Sequence, residues 1–132
     1  MPATMMDENG ISRVVVDCAF KVHVALGPGL FESVYERALE YEIAQCGLNV
    51  RSQVPLPVRY GPLTFEEGFR ADLLVDDRVI VELKSVEHLA DIHKKQLLTY
   101  LKVANLRLGL LVNFGATRIK DGIVRVVNGL PE

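Results

Sequence analysis

Apolar residues recur at steps of three and four from Ile11 through Val15, Cys18, Val22 and Ala25. That spacing predicts a helix over residues 11–26, stopped by Gly27-Pro28-Gly29. A second helical stretch runs over 30–46, with Gly47 placed to end it and Phe31, Val34, Ala38 and Tyr41 as its expected core face. The period then changes. Residues 53–60 carry Pro55 and Pro57, which suits an edge strand. After a turn at Gly61-Pro62, residues 65–75 predict a strand with Gly68 as a bulge site. Asp76-Asp77 is a short turn, and residues 78–84 form the return strand of an antiparallel hairpin. Helical spacing resumes over 90–104. A nearly all-apolar strand follows over 106–114, as expected of a sheet covered on both faces. A short last strand spans 123–127. The order α, α, β, β, β, α, β, β predicts an α/β (α+β) fold with a mixed sheet flanked by helices.

At 132 residues, 49% of them apolar and 24% charged, the chain has the size and core material of one domain. Residues 1–10 read as a mobile N-terminal tail and 11–132 as the domain. No run reaches the roughly 20 apolar residues that span a bilayer, and no basic-then-apolar leader opens the chain. With Cys18 and Cys46 as the only cysteines, there is no CxxC pattern and there are too few thiolates for an iron–sulfur cluster. Two reduced cysteines in or near a core fit a cytoplasmic protein. The net charge of −2 argues against a charge-driven nucleic-acid coat protein. It leaves nucleic acid open as a substrate, because carboxylates gathered for a cation make a site acidic.

Strand alternation isolates the candidate chemistry. In Val79-Ile80-Val81-Glu82-Leu83-Lys84, Glu82 and Lys84 share one face, and Val79, Val81 and Leu83 point into a core. The hairpin turn brings Asp72 of the preceding strand towards Glu82. Two carboxylates and a lysine can hold Mg²⁺ or Mn²⁺ through oxygen and handle charge at a phosphoryl centre. The alternative is a cross-strand salt bridge on a solvated sheet face. His93, Gln96 and Tyr100 share a face of the later helix and could meet a phosphate or base, or simply face water. Glu32 and Tyr35 lie on one side of the second helix, where Glu32 also suits the helix dipole. His23 and His93 read as packed or hydrogen-bonding histidines. The scattered basic residues, among them Arg51 and Arg118, read as solubilising surface.

Taken together, these residues resemble a family. Gly29, Glu32 and Tyr35 match the pattern that names the GxxExxY proteins, a family placed in the PD-(D/E)xK nuclease superfamily of restriction-endonuclease-like folds. Val22-His23, Leu26-Gly27-Pro28-Gly29-Leu30, Arg70-Ala71-Asp72, Val81-Glu82-Leu83-Lys84, His93, Gln96 to Leu101 and Asn113-Phe114 follow in family order, over about residues 11 to 127. The resemblance implies an αβββαβ core. It implies Asp72 and Glu82 as metal ligands, with Glu32 and the Leu83 carbonyl as further ones, and Lys84 as the catalytic lysine. Gln96 and Tyr100 resemble the QxxxY pattern of exonuclease-like members, and with Tyr35 and His93 complete the substrate-binding set. Ala71 stands where the literal motif has proline, which is not a ligand.

The resemblance implies a metal-dependent nuclease acting on DNA or, second, RNA, with Mg²⁺ or Mn²⁺ as cofactor and no membrane association. So small a domain has few elements to grip a duplex, which leaves room for a homodimer or a partner protein. A non-catalytic nucleic-acid-binding or assembly module on the same fold is the alternative. Hydrolysis of a small phosphoester is a third reading, and no P-loop points to a motor.

Overall fold

Asp7 opens the first helix, its side chain accepting the N–H of Gly10 at 2.8 Å. Helix α1 spans Glu8–Leu26 and α2 spans Glu32–Gln45. The computed structural model describes residues 6–131. Of the expected tail, residues 1–5 lie outside the described residues, and 8–10 are already the first turn of α1. Strands β1 (Val50–Tyr60), β2 (Leu63–Val75) and β3 (Val79–Lys84) follow, then α3 (Asp91–Ala104), β4 (Leu108–Asn113), a 3₁₀ turn over Ile119–Gly122 and β5 (Ile123–Val127). The order matches that read from the pattern, apart from the 3₁₀ turn.

The sheet is mixed, in the order β1-β2-β3-β4-β5. Only β3 and β4 run parallel, which α3 makes possible as the crossover between them. β2 and β3 are joined by residues 76–78: Asp76 and Asp77 take positive φ (51° and 56°) inside a turn closed by the Arg78 N–H donating to the Val75 carbonyl at 3.0 Å, so Arg78 belongs to the loop and not to the return strand. Side chains of β3 alternate between two cores. Val79, Val81 and Leu83 pack with α1 and α2, and Ile80 packs with Leu97 and Leu101 of α3. β4 is buried along its whole length. The result is a sheet covered by helices on both faces.

The α1 stripe forms as expected from Ile11 to Val22, while Ala25 is exposed. The core face of α2 does not. Phe31, Val34 and Tyr41 are exposed, Ala38 is only half-buried, and Tyr35, Leu39 and Ile43 are fully buried instead. The cause is Tyr35. Its ring stacks on Phe114 at 4.5 Å, its hydroxyl donates to the Gly27 carbonyl, and the Leu30 N–H donates to it at 3.0 Å. These contacts set the rotation of α2 and tie down the α1–α2 loop, in which Gly29 takes a φ of +107° that a side chain would resist.

β1 is an edge strand and carries Pro55 and Pro57 at alternate positions. Its register against β2 shifts between Leu56 and Val58, opposite the stretch containing Gly68. A Cβ on Gly68 would stand 2.1 Å from Val58 Cγ2, so the irregularity needs glycine there.

Candidate active site

The β2–β3 ladder runs through Val75↔Val79, Leu74↔Ile80 and Leu73↔Val81. One step further, Asp72 stands across from Glu82, and side chains take over from the main chain. The Asp72 N–H donates to Glu82 Oε2 at 2.8 Å, and the Leu83 N–H donates to Asp72 Oδ2 at 2.8 Å. Each carboxylate therefore satisfies a main-chain donor of the opposite strand where the two strands part. The two bonds hold both groups in place.

A second irregularity coincides with the first. Gln53 of β1, across from Asp72 in register, has a φ of 52°. On either side of this rung the strands change faces. Leu73 packs with α1 and α2, whereas Ala71 and Val54 pack with α3. Asp72 thus sits where the hairpin turns over, and it can address both helix layers. From the α2 layer comes Glu36, bridged by the Gln53 amide, which donates to Glu36 Oε1 at 2.8 Å and, weakly, to Asp72 Oδ1 at 3.4 Å. From the α3 layer comes Tyr100, whose ring stacks on Phe69 at 4.1 Å.

The electrostatics follow from this proximity. Burial, and then the charge of Asp72, push the Glu82 carboxyl up to about 8, against the opposing pull of its bond from the Asp72 N–H and of Lys84. Burial also raises Glu36, opposed by the Gln53 bond and reinforced by the charges of Asp72, Glu40 and Glu32. The Tyr100 phenol is raised by burial and then by Glu82 and Asp72. Lys84, half-buried on the same face as Glu82, enters no ion pair among the described residues. A cross-strand salt bridge is therefore not what these residues make.

Other expected site residues lie elsewhere or have other work. Glu32 is exposed at the first turn of α2, and Glu36, one turn on, is the helix carboxylate tied to Asp72. Tyr35 is fully buried and pins the α1–α2 loop. His93 Nδ1 accepts the Ala90 N–H at 3.1 Å and so caps α3. Gln96 lies on α3 one turn before Tyr100, exposed and without a side-chain hydrogen bond among the described residues. The Leu83 side chain is buried in the core, which leaves its main-chain carbonyl as the group it can offer. His23 is a packed histidine, its Nε2 2.9 Å from the Ala116 carbonyl oxygen. Glu36 and Gln53 were not singled out by their sequence context. The one signal for Glu36 was its position four residues after Glu32, on the same side of the helix.

The donor set suits a hard cation. Among the described residues no three His, Cys, Asp or Glu side chains close on one point. Two carboxylates with hard oxygen donors are what Mg²⁺ takes from a protein when water and substrate phosphate complete its shell. A cavity of about 540 Å³ opens beside Leu89, Lys94, Asn113, Arg118 and Asp121, and none of Asp72, Glu82, Lys84 or Tyr100 lines it.

A five-stranded mixed sheet between helices, with an Asp and a Glu-x-Lys converging where its hairpin parts, defines a restriction-endonuclease-like α/β protein. The chain belongs to the PD-(D/E)XK nuclease superfamily, whose family model matches residues 9–126. Comparison with curated proteins and with solved structures gives no match. Members of the superfamily are generally nucleases and typically use divalent metals. Among the described residues no helix is long and apolar enough to cross a membrane.

Proposed function

We propose that this domain is a divalent-metal-dependent nuclease of the GxxExxY type that hydrolyses phosphodiester bonds, with DNA as its preferred substrate. The observation that carries the reading is the reciprocal hold of Asp72 and Glu82 on each other's strands, with Lys84 on the same face as Glu82 and its charge felt by that carboxyl. A bound Mg²⁺ or Mn²⁺ would polarise the phosphate and lower the pKa of attacking water. Asp72 and Glu82 would hold such an ion, with the Leu83 carbonyl as a further oxygen donor. Lys84 orients the attacking water and opposes the charge that builds on the phosphoryl oxygens. Glu36, linked through Gln53, keeps Asp72 oriented. Tyr100, with Gln96 a turn before it, offers hydrogen bonds to the substrate backbone.

In this reading the protein works in the cytoplasm, alone or as a dimer or with a partner that extends its grip on the duplex. The deciding experiment is a panel of single-stranded, duplex, flapped and junction DNA, plus RNA, with Mg²⁺, Mn²⁺ or excess EDTA. Metal-dependent cleavage of DNA is the expected result. Binding of nucleic acid without cleavage under every metal condition would leave a non-catalytic binding module in its place.

A further inference from the structure

Cys18 and Cys46 have no part in the site. They lie 28 residues apart in sequence, yet their Sγ atoms are 3.8 Å from each other. Cys18 is on α1, packed in the core with Val15 and Val22. Cys46 is exposed at the C-terminal cap of α2. The same stretch of the two helices is held by an ion pair between Lys21 and Glu42 at 3.1 Å. The thiols therefore face each other across a helix interface already fixed in register.

We propose that Cys18 and Cys46 are a reversible disulfide site that joins α1 to α2. A disulfide bond is about 2.05 Å long, so the sulfurs must approach by a little under 2 Å. Cys46 can supply that movement, because it caps a helix end and precedes Gly47, whose φ is +85°.

The division of labour follows from exposure. Burial, helped by the contact with Cys46, pushes the Cys18 thiol up to about 12, so at neutral pH it stays protonated and shielded. Cys46 meets the oxidant, here a low-molecular-weight disulfide such as oxidised glutathione. Its thiolate attacks one sulfur of that disulfide and expels a thiolate. Cys18 then gives its proton to solvent, attacks Cys46 Sγ and expels the second thiolate. Two protein thiols and one small disulfide thus become one protein disulfide and two small thiols.

The bond would close a loop containing the Gly27–Leu30 turn and all of α2, the segment that brings Glu36 towards Asp72. Closing so long a loop stabilises mainly by restricting the unfolded chain.

The test uses the full chain, purified reduced and equilibrated with oxidised and reduced glutathione under native conditions. Free thiols are counted after denaturation, and intact mass, oligomeric state and Tm are measured. Expected are loss of both thiols, a mass lower by two hydrogens, a single-chain product and a Tm raised by several degrees, all reversed by dithiothreitol. Cys18→Ala should stop at a glutathione adduct on Cys46, and Cys46→Ser should leave Cys18 unmodified. A parent protein that keeps both thiols, stops at the Cys46 adduct or pairs between chains would overturn the proposal.

Discussion

Gln53 stands across the β1–β2 ladder from Asp72, and at that rung both strands exchange the core they face. The exchange requires a left-handed φ of 52° in a residue other than glycine, a conformation that asparagine tolerates and β-branched residues resist. Gln53→Val should therefore lower stability by about 1–3 kcal/mol, and Gln53→Asn by much less. Urea unfolding of both variants tests this, and a Gln53→Val protein as stable as its parent would refute it.

The buried Glu82 makes metal-free stability depend on pH. Its folded pKa, about 8, lies above the ordinary carboxylate value of 4.5. The folded state therefore binds the proton more tightly than the unfolded chain. That contribution is fully present below about pH 4.5 and is lost as pH rises through 8. In EDTA, stability should fall over this window by up to about 1.4 kcal/mol per pH unit, and Glu82→Gln should flatten the fall. Parallel denaturant titrations from pH 5 to about 8.5 check the difference, and identical slopes would remove the protonated Glu82.

Ion binding should run against the same proton. If Asp72 and Glu82 hold a divalent cation, each ion bound below about pH 8 displaces the Glu82 proton. Apparent affinity for Mn²⁺ should rise up to about tenfold per pH unit and level off above that. Calorimetry in two buffers of different ionisation enthalpy measures the proton directly. A pH-independent affinity would mean that Glu82 is not a ligand.

Two acidic residues on α2 can be told apart. Only Glu36 is linked through Gln53 to Asp72, whereas Glu32 is exposed a turn away. Glu36→Gln should change Mn²⁺ affinity severalfold, and Glu32→Gln should change it little, because charges at an exposed helix end are screened. Equal effects, or a larger one at Glu32, would return the role to Glu32.

Lys84→Ala should lower any metal-dependent cleavage by roughly 10²–10⁴-fold, the usual worth of a positioned proton-transfer or charge-stabilising group. Since Lys84 is half-buried and makes no ion pair among the described residues, the variant should keep its fold and melt close to the parent. Undiminished cleavage by a folded Lys84→Ala protein would assign the chemistry elsewhere.

The strands and their pairing were legible because strand signals are local. The exact register was less so, because Arg78 joins Asp76 and Asp77 in the loop, and it is the resulting pairing of Val75 with Val79 that sets Asp72 against Glu82. The rotation of α2 was not. Phe31, Val34 and Tyr41 are as apolar as Tyr35, Leu39 and Ile43, and the choice is made by Phe114 and the loop carbonyl of Gly27, both distant in sequence or outside any periodic pattern. Glu36 was hidden for a related reason. Its tie to the site passes through Gln53, and nothing in a glutamine's identity announces a left-handed backbone. Tyr35 shows the converse, since a residue that stands out in a motif also holds the loop together.

The two prolines of β1 reach beyond the single molecule. An uncovered sheet margin is an invitation to stack chain upon chain into filaments, and Pro55 and Pro57 withdraw two of its amide donors. Copies of this protein that meet at high concentration thus find no continuous template along that margin.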